Sequence, residues 1–323
     1  MTDVSIVVPV FDEEGSLVEL HRRLTDVMSQ FGRSYEIVYV DDGSRDGSLK
    51  RLEEIYEQDP HAKVVSFRRR YGKSAALAIG FEEASGGIIV TIDADLQDDP
   101  REIPNLIRQL GRGYDLVSGW KRHREDPLSK TIPSKIFNTV VAWATGLRLH
   151  DINCGLKAYR REVTDEIKLY GELHRFLPVF AYKERFRVGE IPVTHHARKF
   201  GKTKYGIRRF LHGFLDLLTV IMVTGYTRSP LHFFGTIGGI FAFVGFGINS
   251  VLLGIWLKHH NIQGRTPLLM LGVLLMILGV MLVTTGLLAE LITRAGHRGK
   301  KEYSVKARLS HGEVGSDADT QAT

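Results

Sequence analysis

Two aspartates one residue apart, Asp93 and Asp95 in IIVTIDADLQDD, follow a run of Ile, Val and Thr and are the side chains of this chain best suited to hold a metal. The apolar run reads as a buried strand, which delivers both carboxylates to its C-terminal end, the edge at which open α/β sheets bind ligands. Residues two apart on an extended backbone point the same way, so the pair can converge on one hard cation and hold it against a diphosphate. Asp-x-Asp is also ordinary turn chemistry at a strand-to-loop corner, and the pair alone leaves both readings open. Company raises the metal reading. The strand at residues 4–10 runs into Phe11, Asp12, Glu13 and Glu14, and the strand at 35–40 runs into Asp41, Asp42, Gly43 and Ser44.

The elements that must position these acids alternate in kind. Apolar periodicity predicts helices over residues 16–28, 47–58, 74–84 and 104–110, and further strands over 63–67 and 115–119. That alternation predicts an α/β fold, a mostly parallel sheet with helices on both faces. Neither a GxxxxGK[ST] phosphate loop nor zinc-type cysteine spacing is present, and Gly72-Lys73-Ser74 lacks the upstream glycine of a P-loop.

Three motifs carry a resemblance. PVFDEE at residues 9–14, VDDGSRDGS at 40–48 and DADLQDDP at 93–100 stand in the order and spacing of family-2 glycosyltransferases, which the chain resembles over about its first 200 residues. The resemblance implies a GT-A, Rossmann-like nucleotide-sugar-binding domain and inverting transfer. It further implies Asp95 as the principal metal ligand with Gln97 beside it, and Asp93 near the ribose or a bound water; oxygen ligands of this kind suit Mg²⁺ or Mn²⁺. Glu13, Asp41 and Asp42 resemble the nucleotide-binding acids, with Pro9 and Phe11 shaping the base pocket. Lys73 reads equally as a ligand of the base or diphosphate and as a solvated loop lysine.

Downstream, WKRHREDPLSKTIPSK gathers Lys121, Arg122, Arg124, Lys130, Ser134 and Lys135. It reads either as a basic loop touching headgroups or as an acceptor site. In polyprenyl-phosphate glycosyltransferases the corresponding stretch holds the acceptor phosphate, and Arg122, Lys130 and Ser134 match best. DINCGLK at 151–157 resembles the acceptor-side Asp motif, so Asp151 joins Asp95 and Arg122 as expected catalytic residues. A phosphate monoester has a second pKa of about 6, so Asp151 is expected to orient the site more than to abstract a proton. RKFGKTKY at 198–205 resembles the R-x-x-G-x-S-K-Y signature, with Thr203 at the usual serine; Arg198, Lys202 and Lys204 would clamp the diphosphate. His174 and Arg175 would lie on the acceptor side.

The remaining third of the chain is of another kind. Residues 233–257 and 267–289 are apolar, glycine-bearing segments long enough to cross a hydrocarbon core of about 30 Å, and they read as a two-helix transmembrane hairpin. Gly235, Gly238, Gly239, Gly245 and Gly247 offer faces for close helix packing, against each other or against neighbouring subunits. Between catalytic domain and membrane, residues 205–223 place Ile207, Phe210, Leu211, Phe214, Leu215 and Leu218 at helical spacing. This pattern predicts an amphipathic interfacial helix, with a core-facing helix of the catalytic domain as the other reading. The expected organisation is a GT-A domain at 1–204, the juxtamembrane helix at 205–230, the two spans at 231–294 and a polar tail at 295–323.

Charge orients the hairpin. Arg198, Lys199, Lys202, Lys204, Arg208, Arg209 and Arg228 precede it and Arg294, Arg298, Lys300 and Lys301 follow it, whereas the connection holds Lys258 and Arg265, which predicts a plasma-membrane protein with both ends cytoplasmic. The first residues read as a strand without a leader, and the single cysteine, Cys154, excludes an intrachain disulfide. A formal net charge of +6 suits an anionic substrate at an anionic surface and needs no nucleic acid.

Absence of the Q-x-x-R-W sequence of processive polymerases, with only two spans, argues for one transfer per acceptor. The expected reaction is metal-dependent transfer of a single sugar from a nucleotide sugar to polyprenyl phosphate. UDP-hexose is the preferred donor and GDP-mannose the second. A diacylglycerol or glycan acceptor, or a non-catalytic nucleotide-sugar-binding scaffold, are the alternatives. Small-residue helix faces and the resemblance imply a homo-oligomer, with a tetramer as the expected form.

Overall fold

A computed structural model describes residues 2–121, 138–143, 145–167, 169, 173–196, 230–260 and 264–296. Strands β1 (Val4–Val10), β2 (Tyr35–Asp41), β3 (Ala62–Ser66) and β4 (Ile88–Thr91) alternate with helices α1 (Leu17–Phe31), α2 (Ser48–Gln58) and α3 (Lys73–Glu83). A 3-10 turn at Pro100–Glu102 leads into α4 (Ile103–Gly111), followed by β5 (Leu116–Lys121), β6 (Lys157–Arg160), α5 (Arg161–Glu166), α6 (Leu177–Lys183) and β7 (Val188–Val193). The strands form one sheet in the order β3-β2-β1-β4-β6-β5-β7, parallel except for β6, which runs antiparallel between β4 and β5.

Alternation along the strands fills both faces. Val4, Ile6, Val8 and Val10 of β1 pack with Leu17, Leu20 and Leu24 of α1 and Leu106 of α4, while Val7 packs on the other side with Ala76, Leu77 and Phe81 of α3. Helix α1 shows why such elements form here: Leu17, Leu20, Leu24 and Met28 recur at helical spacing and are all buried. It stops at Gly32, whose φ of 70° is left-handed and whose N–H caps the Met28 carbonyl. The fold agrees with the expected mostly parallel α/β domain. Strands β6 and β7 were not foreseen.

Helices α7 (Pro230–His259) and α8 (Thr266–Gly296) form a hairpin. An 18-residue stretch within Pro230–His259 has a mean hydropathy of 2.1 and one within Thr266–Ile292 has 2.6, and both helices are long and apolar enough to cross a membrane. Phe243, Phe246, Val251, Leu253, Val280 and Met281 are exposed around them, as lipid-facing residues would be. The seam between them is made of small residues. A Cβ at Gly238 would lie 2.6 Å from the Gly279 carbonyl oxygen, and one at Gly245 would lie 2.5 Å from that of Gly272. Gly239 and Gly247 have nothing within 4 Å, and Gly235 meets only Leu231 of its own helix. The glycines expected to form packing faces therefore divide: two are used inside the hairpin and the others point outward. The predicted amphipathic helix at 205–223 and the polar tail lie outside the described residues.

Candidate active site

The C-terminal ends of β1, β2 and β3 meet in three loops that acidic and hydroxyl side chains knit together. Asp12, at a left-handed φ of 54°, accepts the Arg45 N–H at 2.8 Å and donates its own N–H to Ser44 Oγ at 3.0 Å. The Glu13 N–H donates to Ser48 Oγ at 2.9 Å. Asp41 accepts from Ser66 Oγ at 2.8 Å and from the Ser44 N–H at 3.0 Å, and Asp42 accepts the N–H groups of Tyr71 at 2.6 Å and Gly72 at 2.9 Å. Gly43, at φ +66°, lets the loop carrying Arg69 approach so closely that a Cβ would stand 2.6 Å from the Arg69 carbonyl carbon. Above these loops the Arg70 guanidinium lies 4.2 Å from the centroid of the Phe11 ring, and Arg69 lies 4.9 Å from that of Tyr71. The result is a shelf of aromatic faces and guanidinium planes beside Asp41 and Asp42.

The aspartate pair sits differently from its sequence expectation. Strand β4 ends at Thr91, so Asp93 and Asp95 lie beyond it in a turn, with Leu96 at a left-handed φ of 59°. Strand alternation therefore does not set the direction of either side chain. Asp95 is 8% exposed and accepts the Gln97 N–H at 3.2 Å, while Gln97 pairs through its backbone oxygen with the His196 N–H at 2.8 Å. Asp93 forms an ion pair with Lys73, which reaches back from the start of α3. Burial opposes the charge of Asp93, yet Lys73 and the more distant Lys121 and Lys157 hold its pKa at about 2. Lys73, expected on the base or diphosphate, here meets a carboxylate.

The donor atoms around the turn are oxygens: the Asp93 and Asp95 carboxylates and the Gln97 amide. Among the described residues no three His, Cys, Asp or Glu side chains converge on a point. A site of two carboxylates fits Mg²⁺ or Mn²⁺, which take their remaining ligands from substrate phosphates and water.

Behind the turn lies a buried ionic group that sequence reasoning missed. Asp98, 2% exposed, stands 3.4 Å from both Lys121 Nζ and His195 Nδ1, and pairs with His195 in an isolated antiparallel bridge. Burial works against both charges, but Asp98 keeps Lys121 above its usual range and Lys121 keeps Asp98 below. This group ties the aspartate turn to the end of β5, where the basic segment begins, and to residues 195–196, after which the second basic motif follows. Four acids in DADLQDDP were the available signal, of which only the first two had been used.

On the other side, residues 151–156 fold back onto β4 and β5. Asp151 is 1% exposed and accepts the Asn153 N–H at 3.2 Å; Thr91 Oγ1 donates to the Gly155 carbonyl at 2.9 Å, and the Gly119 N–H to that of Leu156 at 2.9 Å. Gly155 passes so near Asp93 that a Cβ would lie 2.5 Å from its Oδ2. The turn that begins at Asp151 thus passes beside Asp93. Lys157, 4% exposed, donates to the Cys154 carbonyl, and burial lowers its pKa. Burial, with Asp98 nearby, pushes the Cys154 thiol up to about 12. His174 is a neutral ring: burial, then Lys73 and Arg175, press its pKa to about 2, and Ser74 Oγ lies 3.0 Å from its Nδ1. Arg122, Lys130, Ser134, Arg198, Lys202 and Lys204 lie outside the described residues.

Residues 5–168 match the profile of Glycosyl transferase family 2. The chain belongs to that family. Over the GT-A domain, this glycosyltransferase shares its fold with glucosyl-3-phosphoglycerate synthase of Mycobacterium tuberculosis. Bound to Mn²⁺, UDP and phosphoglyceric acid, that enzyme aligns with a TM-score of 0.56 at 19% identity, covering 69% of this chain and 78% of that one. Closer relatives span nearly the whole molecule. Dodecaprenyl-phosphate galacturonate synthase of Rhizobium johnstonii is 39% identical over 92% of this chain and 89% of its own. Undecaprenyl-phosphate 4-deoxy-4-formamido-L-arabinose transferase is 39% identical in Pseudomonas aeruginosa, over 90% of this chain and 85% of its own. The Klebsiella pneumoniae enzyme of that name is 34% identical over 99% and 97%.

Proposed function

We propose that this glycosyltransferase moves one sugar from a nucleotide sugar, with UDP as the carrier, to a polyprenyl phosphate at the cytoplasmic face of the membrane. The observation that carries the reading is that one chain joins the acidic GT-A site to a membrane-length hairpin, in an arrangement matched end to end by relatives named for polyprenyl-phosphate acceptors. An acceptor confined to the bilayer meets an enzyme confined to it at raised effective concentration.

In the proposed reaction an ionised oxygen of the lipid phosphate attacks the anomeric carbon from the face opposite the leaving group. The carbon–oxygen bond to the lipid forms as the bond to the UDP β-phosphate breaks, so the configuration inverts and UDP departs with the electron pair. Asp95, Gln97 and Asp93 would hold a divalent cation, which would offset the charge developing on the diphosphate. Glu13, Asp41 and Asp42 frame the nucleotide pocket, with Pro9 and the Phe11–Arg70 shelf against the base. Lys73 passes from Asp93 to the donor when the donor enters. Arg122, Lys130, Ser134 and Arg175 hold the acceptor phosphate, Asp151 orients it, and Arg198, Lys202 and Lys204 close on the diphosphate. Both termini face the cytoplasm, and outward glycines of α7 serve contacts between copies of a homo-oligomer.

The test is transfer of radiolabel from a panel of UDP- and GDP-sugars to undecaprenyl phosphate by detergent-purified protein with Mn²⁺ or Mg²⁺. Label requiring both lipid phosphate and metal establishes the reaction and names the sugar. Label passing to diacylglycerol or glycan instead, or none passing while nucleotide binds, removes the acceptor assignment.

A further inference from the structure

Lys157 opens β6 at the register position opposite Thr91 of β4 on one side and Ser118 of β5 on the other. Because β6 is antiparallel, its first residue lies at the edge where its neighbours end. That is the catalytic edge, two residues short of Asp93. The side chain is 4% exposed, and its ammonium donates to the carbonyl of Cys154, closing the turn that begins at Asp151. Among the described residues no carboxylate oxygen comes within 4.0 Å of Nζ. Burial, with Lys73 adding to it, presses the pKa of the ammonium down, while Cys154, Asp151 and Asp93 oppose that shift.

A buried ammonium with a carbonyl for a partner and no carboxylate in contact is a costly core residue, since a methionine of similar length would pack as well without the desolvation. Such a cation is economical where further anions arrive. The donor diphosphate and the acceptor phosphate bring them to this edge. The same side chain also fixes where the Asp151 turn sits relative to Asp93, because Gly155 in that turn is in close approach to the Asp93 carboxyl.

We propose that Lys157 is a positioning residue of the transfer reaction. It holds the Asp151 turn against the Asp93 side and places a fixed positive charge beneath the anions that meet between them. The inference rests on the proposed transfer to a lipid phosphate.

Its test uses the full-length detergent-purified enzyme carrying Lys157→Met or Lys157→Ala. Lipid transfer is read first and slow hydrolysis of the same donor by water second. In Lys157→Met, kcat for both is expected to fall about 100-fold, the size of effect that mispositioning by about 1 Å produces. The Kd for UDP with Mn²⁺ should rise by no more than about tenfold, well short of the loss in kcat, and the melting temperature should stay within a few degrees of the parent. Ethylammonium should restore kcat about tenfold in Lys157→Ala, where it finds a cavity, and not in Lys157→Met. A kcat within about threefold of the parent in Lys157→Met overturns the proposal. So does a parallel fall of UDP affinity, melting temperature and kcat with no response to ethylammonium, which marks an ordinary core residue. A parent enzyme that hydrolyses donor but labels no polyprenyl phosphate strikes the acceptor reading instead, and Lys157 is then judged on hydrolysis alone.

Discussion

Gly155→Ala isolates the spacing between the two halves of the site. The new methyl carbon would lie 2.5 Å from Asp93 Oδ2, 2.6 Å from Cγ and 2.9 Å from Oδ1, well inside the 3.4 Å at which ordinary contact begins. Something must move by about 0.9 Å, and the geometry decides what. The Gly155 backbone is pinned by the Thr91 hydroxyl at 2.9 Å, and its φ is not among the left-handed ones, so alanine fits the local conformation without strain of its own. The Asp93 side chain, 33% exposed, has room to swing and will yield first, carrying its carboxylate away from Lys73.

A carboxylate displaced by about 1 Å in a site that works by alignment costs about 100-fold in kcat, or about 2.7 kcal/mol of transition-state stabilisation. Stability should change little, because the displaced group moves toward solvent rather than into the core. The assay is kcat for sugar transfer alongside thermal unfolding in the same detergent, with Gly119→Ala as a comparison. There the Cβ would meet Cys154 Sγ and Val193 Cγ2, both at 2.9 Å in the core, so stability should fall with activity. A folded Gly155→Ala enzyme whose kcat stays within about threefold of the parent would refute the placement of Asp93 at the reacting centre.

Other expectations follow from the same geometry. Asp95→Asn keeps the hydrogen bond to the Gln97 N–H but loses the charge that a metal needs, so metal-dependent turnover should drop at least about 100-fold with the fold intact; normal turnover at saturating Mn²⁺ would exclude the metal assignment. His21 lies 3.0 Å from the buried Tyr39 hydroxyl and 3.2 Å from Asp59. Burial lowers its pKa, with Asp59 opposing, so the stability it contributes is complete above the unfolded value of 6.5 and is lost as pH falls through that value toward the folded one. Melting temperature should therefore decline between about pH 7 and 5, and His21→Gln should flatten that decline; an unchanged slope would show that His21 does not carry it. Gly238→Leu drives a side chain into the α8 backbone and should split the hairpin, whereas Gly239→Leu meets nothing; equal thermal stability of the two in detergent would contradict the seam.

Legibility in the sequence followed the physics of each signal. Strands β1, β2 and β4 are largely apolar runs rich in Val and Ile, with Tyr in β2, because they are buried on both faces, and a run of that kind announces itself. Strand β6 is KAYR and β7 is VGEIPV, with a lysine, an arginine and a proline where apolar residues would be expected. Their strand character comes from neighbours: β6 is clasped between β4 and β5, and β7 lies at the sheet edge, where Pro192 is tolerated. Local propensity cannot report a strand that exists because two others hold it.

The site divides along the same line. Asp93, Asp95, Asp41 and Asp42 drew attention because acids at the ends of apolar runs stand out against them, and Asp151 through the resemblance its motif carries. Lys157, Asp98 and His195 escaped notice because each takes its place only through partners distant in sequence: Lys157 through the edge that antiparallel pairing gives it, Asp98 through Lys121 and His195. The visible acids also proved to have a second duty. Asp12, Asp41 and Asp42 spend hydrogen-bonding capacity on backbone N–H groups and on Ser66, which stiffens three loops before any nucleotide arrives. A pocket whose walls are already ordered loses less entropy when the donor binds, and that preorganisation leaves more of the binding energy for the transition state. The acidic loops that signalled a ligand site in the sequence are therefore first the means by which the strand ends are held still.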